Sequence, residues 1–151
     1  MNKNTLKTAD ILEAIGPNLK RYNNLSWLEQ FAMYIGKAQL LEMGLKNLLA
    51  NKFAVESDSM EKWTMGRILS ELKKRGCRDD FLEFLKIVVD DRNHIAHEYL
   101  ANNALVCSIL KVESAHLTQK ALINPVVHLE QTIFLFDWTN EYGEWKSKNS
   151  K

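Results

Sequence analysis

An all-α fold, an antiparallel bundle of four to five helices, is what three features of this chain predict. Apolar residues recur at helical spacing in four separate stretches, strictly alternating strand patterns are absent, and the composition holds only 6 Gly and 2 Pro. At 151 residues, residues 1-151 form a single domain large enough to bury one core. Apolar residues make up 46% and charged residues 26%, a balance that excludes a disordered or repeat-built chain.

Ile11, Leu12 and Ile15 begin a short first helix, which Gly16-Pro17 is expected to end, since glycine closes a helix and proline prevents its continuation. Ser26 followed by Glu29 has the capping-box spacing. Behind it Trp27, Phe31, Tyr34, Ala38, Leu41, Leu45 and Leu49 carry a long apolar stripe, so a second helix is predicted from about Ser26 to Asn51. Gly36 and Gly44 lie within it, each about 1 kcal/mol less favourable than alanine, which predicts close helix contact at both.

Ser57-Asp58-Ser59 opens a third helix with Met60, Trp63, Ile68, Leu69 and Leu72, ending at Lys73-Lys74-Arg75-Gly76, cations and then glycine. Asp79 and Asp80 cap a fourth, in which Asp80 and Glu83 repeat the capping-box spacing, and its stripe runs through Phe81, Leu85, Val88 and Val89 to about Leu100. Phe84 and Ile87 widen that stripe to a second side, which predicts a dimer partner. Leu105, Val106, Ile109 and Leu110 suit a short helix or a strand equally. The last helix is predicted from about Asn124 to Trp145 with Pro125 in its first turn, followed by a frayed polar tail from Lys146 to Lys151.

A net charge of +1 supplies no strongly basic footprint for duplex nucleic acid, and Lys73-Lys74-Arg75 with Arg78 reads as a solvated helix end. Cys77 and Cys107 show no ligand spacing and read as reduced thiols. Met1 to Thr8 lacks the apolar core of a signal peptide, and no apolar run approaches the about 18 residues of a membrane span. A cytoplasmic protein with no membrane association and no cofactor is expected. P-loop, dinucleotide-glycine, G-x-S-x-G and H-E-x-x-H signatures are absent.

The most informative stretch is Arg92-Asn93-His94-Ile95-Ala96-His97-Glu98-Tyr99. At about 100° per residue, Arg92 falls within roughly 20° of the centre of the apolar arc, while Asp90, Asn93 and His97 fall opposite, with His94 beside them. A guanidinium keeps its charge, so on an apolar face it needs a carboxylate, a phosphate or a wet interface. Breaks of this kind in the local pattern concentrate at functional sites.

Arg92, Asn93 and His97 match the pattern of an arginine, a polar residue, spacers and a histidine, and in this stretch the chain resembles the HEPN family of small helical bundles. The continuation to Tyr99 gives R-x4-H-x-Y, which resembles the toxins paired with minimal nucleotidyltransferase antitoxins. The resemblance in sequence spans Asp90 to Leu100; the preceding helices agree in order and type only. It implies a homodimer in which two copies of the motif face one cleft, acting as a metal-independent endoribonuclease, in the role of a toxin or antiviral-defence effector. His97 is then the acid/base and Arg92 the phosphate clamp on the RNA substrate, since cleavage by the 2′-hydroxyl needs a near-neutral base and a cation at phosphorus. Asn93 orients the imidazole or contacts the phosphate, and Asp90 and His94 support it from the same polar side. Tyr99 lines the cleft, and by the same resemblance is the residue an antitoxin would modify with AMP. The extra His94 within the spacer and the near-neutral charge depart from a strong RNA-cleaving pattern, and many members of the family are non-catalytic binding modules.

Three other readings stand beside this one. Arg92 can pair with Glu29 or Glu42 of a neighbouring helix and serve structure alone, with His97 bonded to backbone. A metal-binding bundle would use Glu113-Ser114-Ala115-His116 and the His94, His97 pair, but a second Glu-x-x-His is missing, Asp91 to His94 being the nearest approach. A non-catalytic adaptor would bind a protein through Trp63, Trp138, Trp145 and Tyr142, although aromatics at helical spacing are more often core. His116 and His128 read as ordinary surface or satisfied histidines.

Overall fold

A computed structural model of the chain describes residues 6–99 and 115–147, with side chains for 6–96 and 120–147. Five α-helices form among the described residues: α1 (Thr8–Tyr22), α2 (Trp27–Phe53), α3 (Met65–Lys74), α4 (Asp79–Asn93) and α5 (Ala115–Tyr142). A 3₁₀ turn, Ser57–Met60, precedes α3, and a π-helical turn, His94–Tyr99, continues α4. Among the described residues no strand forms beyond an isolated Cys77–Lys146 bridge. The segment containing Leu105 to Leu110, along with Cys107 and Glu113, lies outside the described residues.

Side-chain pairs give the helix directions. Lys37 meets Glu130 and Gly44 meets Phe136, so α2 and α5 ascend together. Asp91 meets His128 and Arg78 meets Thr139, so α4 descends along α5. Asn18 bonds Glu130 while Tyr22 lies beside Leu122 and Val126, so α1 also descends. Helix α5 touches α1, α2 and α4, and the core around it holds Tyr34, Leu45, Leu49, Phe81, Leu85, Val88 and Leu129, all at 0% exposure.

The capping box at α2 forms as expected: Ser26 Oγ accepts from the Glu29 amide at 3.3 Å, and Glu29 Oε2 accepts from the Ser26 amide at 2.7 Å. Gly76 closes α3 with φ 73°, a left-handed conformation that costs glycine little. Gly44 does approach a neighbour closely, an added Cβ falling 3.1 Å from the Phe136 ring, whereas nothing lies within 4 Å at Gly36. The cations at and just after the end of α3 are engaged: Lys74 and Arg75 reach Glu71, Arg75 also donates to the Phe53 carbonyl, and Arg78 grips Asp80 through two bonds of 2.6 Å.

Several boundaries differ from expectation, each for a tertiary reason. Helix α1 runs through Gly16 and Pro17 to Tyr22. An interior proline costs about 3 kcal/mol, but Ile15 on one side of it and Tyr22 on the other are buried, and each such burial returns about 1.5–3 kcal/mol. Helix α5 likewise starts nine residues before Asn124 and carries Pro125 inside. Ser57 opens only a 3₁₀ turn; α3 proper begins after Thr64, whose hydroxyl accepts from the Arg67 amide. Asp80 does not form a capping box with Glu83, because Arg78 holds its carboxylate. Ala96 is exposed, although its neighbour Ile95 is buried at 1%.

The last helix ends at Tyr142, short of the expected Trp145, and the chain then folds back as an ordered clasp that includes Lys146 and Ser147, the described part of the expected frayed tail. Trp145 is buried at 5%, packs edge-on to Phe81 at 4.9 Å and lies 5.3 Å from Phe136. Its carbonyl accepts from the Arg78 amide, and Ser147 donates to the Gly76 carbonyl, both at 2.9 Å.

Candidate functional site

The motif begins where α4 changes its winding. An α-helix advances about 100° per residue, so positions 92 and 97 would stand about 140° apart. A π-turn, bonded i to i+5 with roughly 82° per residue, reduces that separation to about 70°. The five-residue spacing from Arg92 to His97 suits neither ridge of an α-helix, yet over His94–Tyr99 it places the two backbone positions on neighbouring flanks. π-turns of this kind recur at functional sites. The side chains of His97 and Tyr99 lie outside the described residues.

Arg92 emerges between α4 and α2. Its Nη1 lies 3.2 Å from Glu42 Oε2, and Glu42 also meets Lys46 at 3.3 Å, one turn further along α2. The Arg92 side chain is 28% exposed and Glu42 19%. An ion pair this accessible contributes only about 0–1 kcal/mol, whereas hydrogen bonds from a guanidinium to a phosphate contribute about 1.5–3 kcal/mol. Glu42 therefore steadies Arg92 without retiring it, and it divides its carboxylate between Arg92 and Lys46. Asp90, Asn93 and His94 are exposed on the other side of the helix, as their spacing predicts.

Two groups that sequence reasoning passed over join this cluster. His128, on α5, sets Nδ1 2.7 Å from Asp91 Oδ2, the residue just before Arg92. The two side chains are 34% and 24% exposed. Tyr34, on α2, is fully buried, and its hydroxyl finds no hydrogen-bond partner among the described residues. Burial above all, and then the Asp91 carboxylate, holds the Tyr34 phenol well above its ordinary pKa, while Arg92 pulls the other way. Arg92, Asp91, Tyr34 and His128 thus gather three helices around one turn of α4. No spacing rule points to a residue 37 positions away in the chain, so His128 carried no sequence signal.

Among the described residues no group of three or more His, Cys, Asp or Glu is arranged to hold a metal ion, and no helix is long and apolar enough to cross a membrane. The side chain of His116 lies outside the described residues. Of the aromatics an adaptor would use, Trp63 and Trp145 are core, Trp138 is partly buried with the Arg78 guanidinium 5.8 Å from its ring, and Tyr142 is 48% exposed. Comparison of the chain with protein-family models, with curated proteins and with solved structures finds no match.

Burial also keeps other protons in place. It pushes the Cys77 thiol up to about 12 from an ordinary 9.0, and it raises Tyr22, beside Glu130, as it does Tyr34. All three folded-state values lie above the unfolded ones, so the stability they carry is complete below pH 9 and is lost as pH rises towards 12. The slope is about 1.4 kcal/mol per pH unit for each proton kept only by the folded chain. Urea midpoints measured at pH 8 and pH 10.5 are expected to fall between the two, and Tyr34→Phe to reduce the drop. Equal midpoints contradict this account.

Proposed function

We propose that this protein is a HEPN-like, homodimeric, metal-independent endoribonuclease of the cytoplasm, acting as a toxin or defence effector. The observation that carries the reading is the π-turn, which narrows the angle between the Arg92 and His97 positions while Glu42 holds Arg92 at the surface. In this reading Arg92 neutralises the scissile phosphate, His97 takes the proton from the 2′-hydroxyl, and Asn93, His94 and Asp90 line the polar side. Tyr99, two positions after His97, is the residue a partner nucleotidyltransferase would modify.

The test is cleavage of defined single-stranded and hairpin RNAs in EDTA. Products ending in 2′,3′-cyclic phosphate are expected, with Arg92→Ala and His97→Ala each slower by about 10²–10³-fold. If the wild-type protein leaves these RNAs intact and neither substitution alters its effect on host growth, the nuclease reading is lost. The second reading, a binding module without chemistry, then takes its place. It is favoured by Leu28, Leu40 and Met43, each more than 60% exposed on α2.

A further inference from the structure

Helices α2 and α5 ascend side by side, and three clefts follow one another along their junction. The first, of about 270 Å³, lies between Lys37, Leu41, Ile133 and Asp137; the second, of the same size, runs from Gly44 to Lys52. They share Phe136, and the second meets a third, beside Trp145 and Lys146, at Lys52 and Asn140. The three form one groove. From Lys37 to Lys52 it extends about 22 Å, the length of about four helical turns.

Its floor is apolar. Leu41 and Leu48 are each 4% exposed there, and Gly44 has no side chain to cover Phe136, whose ring would stand 3.1 Å from a Cβ added at that glycine. Leu40, 67% exposed, overhangs one edge. Charges are sorted along the groove. Glu130 takes up the charge of Lys37, so Asp137 is the uncompensated ion of the first cleft. It makes no hydrogen bond or ion pair among the described residues, and partial desolvation raises its carboxyl above the ordinary value. At the other end Lys52 and Lys146 share their cleft with one acid, Glu144. Because Gly44 lies against Phe136, Asp137 is level with the residue after Gly44, which sets it about 10 Å from Lys52 along the groove, two helical turns.

We propose that this groove binds an amphipathic helix of a partner protein, running antiparallel to α2 and α5, with a carboxylate opposite Lys52 and a cation opposite Asp137. An apolar channel of this length accepts a helix by residues three, four and seven apart. The sequence of such a helix is defined by the groove: an acid, apolar residues three and four positions later over Phe136, Lys or Arg at the seventh, and one more apolar residue four beyond, beside Leu41 and Ile133. The direction follows from the dipole, since acids are favoured in a helix's early turns and bases in its late ones. A helix with its acid at Lys52 therefore runs towards Asp137, against the parallel pair.

The groove is separate from the motif. Glu42, which holds Arg92, is two positions from Gly44 and so about 160° away around α2. A second copy of the chain that pairs motif to motif leaves the groove open, and the inference stands whether or not the motif cuts RNA.

The experiment uses the full chain and two labelled, alanine-based helical peptides of about 18 residues, long enough to be helical alone. One carries leucines at the groove positions with Glu and Arg in the stated order; in the other those two charges are exchanged. Fluorescence anisotropy is expected to give a Kd of about 100 µM or tighter for the first and about tenfold weaker for the second. The double variant Lys52→Glu, Asp137→Lys is expected to reverse that preference, and Leu40→Glu to weaken the first peptide at least about tenfold. All three positions are exposed on helix surfaces, and circular dichroism should show unchanged helix content. Equal affinity for the two peptides, no binding of either at about 1 mM, or a double variant that keeps the wild-type preference overturns the proposal. So does a wild-type dimer that Leu40→Glu converts to monomer in sedimentation, because a second copy then closes the groove.

Discussion

Replacing Lys37 by methionine is expected to lower the free energy of unfolding by about 3 kcal/mol at neutral pH. Glu130 is 1% exposed, on the face of α5 where α1 and α2 converge. Its carboxylate accepts from Asn18 Nδ2 at 3.2 Å, from the Tyr22 hydroxyl at 2.9 Å and from the Lys37 ammonium, which lies 5.4 Å from the centre of the Tyr22 ring. Removing the only cation in this set leaves a buried negative charge with two neutral donors, and breaking a buried pair from one side costs about 3–5 kcal/mol. The surviving donors place the expectation at the lower end. Glu130→Gln keeps an acceptor for Tyr22 and lets Lys37 reach water, so about 1–2 kcal/mol is expected. The double variant should be more stable than Lys37→Met alone, because it removes the stranded charge. Urea unfolding of the four proteins completes the cycle; a Lys37→Met value within 1 kcal/mol of wild type, or simple additivity, would contradict the buried-charge account.

Trp145→Ala is expected to cost about 3–5 kcal/mol, as much as a residue from the middle of the core. The indole covers Phe81 and Phe136, and its Nε1 donates to Asn140 Oδ1 at 3.0 Å. Trp145→Phe keeps the ring contact and loses the bond, so about 1–2 kcal/mol is expected. Ending the chain at Tyr142 removes the indole together with the backbone bonds at Arg78 and Gly76, and its loss should match or exceed that of Trp145→Ala. A truncated protein with an unchanged urea midpoint would return this segment to the status of a loose tail.

Those two sites differ in how far the chain announced them. Trp145 was legible as an apolar residue near the end of a helical pattern, but its place beyond Tyr142, folded back on Phe81, depended on the Cys77–Lys146 bridge. Lys37 and Glu130 look like ordinary polar residues of two helices, and nothing within a few positions of either marks them as partners. The α2 cap was legible in full, since Ser26 and Glu29 complete each other within one turn. Pro17 misled as an expected helix end and Pro125 as an expected helix start, because both rules weigh local cost alone.

At the candidate site the division is the same. The unusual position of Arg92 on an apolar flank follows from the order of residues in α4, and Glu42 was one of two acids expected to meet it. The π-turn and the Asp91–His128 pair had no such signature.

Helical class, the number of main helices and the faces they bury follow from interactions three or four residues apart, which any reader of the chain can count. Which carboxylate lies under Lys37, what holds His128 and where two prolines sit within helices were decided only by packing. These contacts join residues as much as 93 positions apart, and their energies depend on how helices cross and exclude water, quantities that no short stretch of sequence contains.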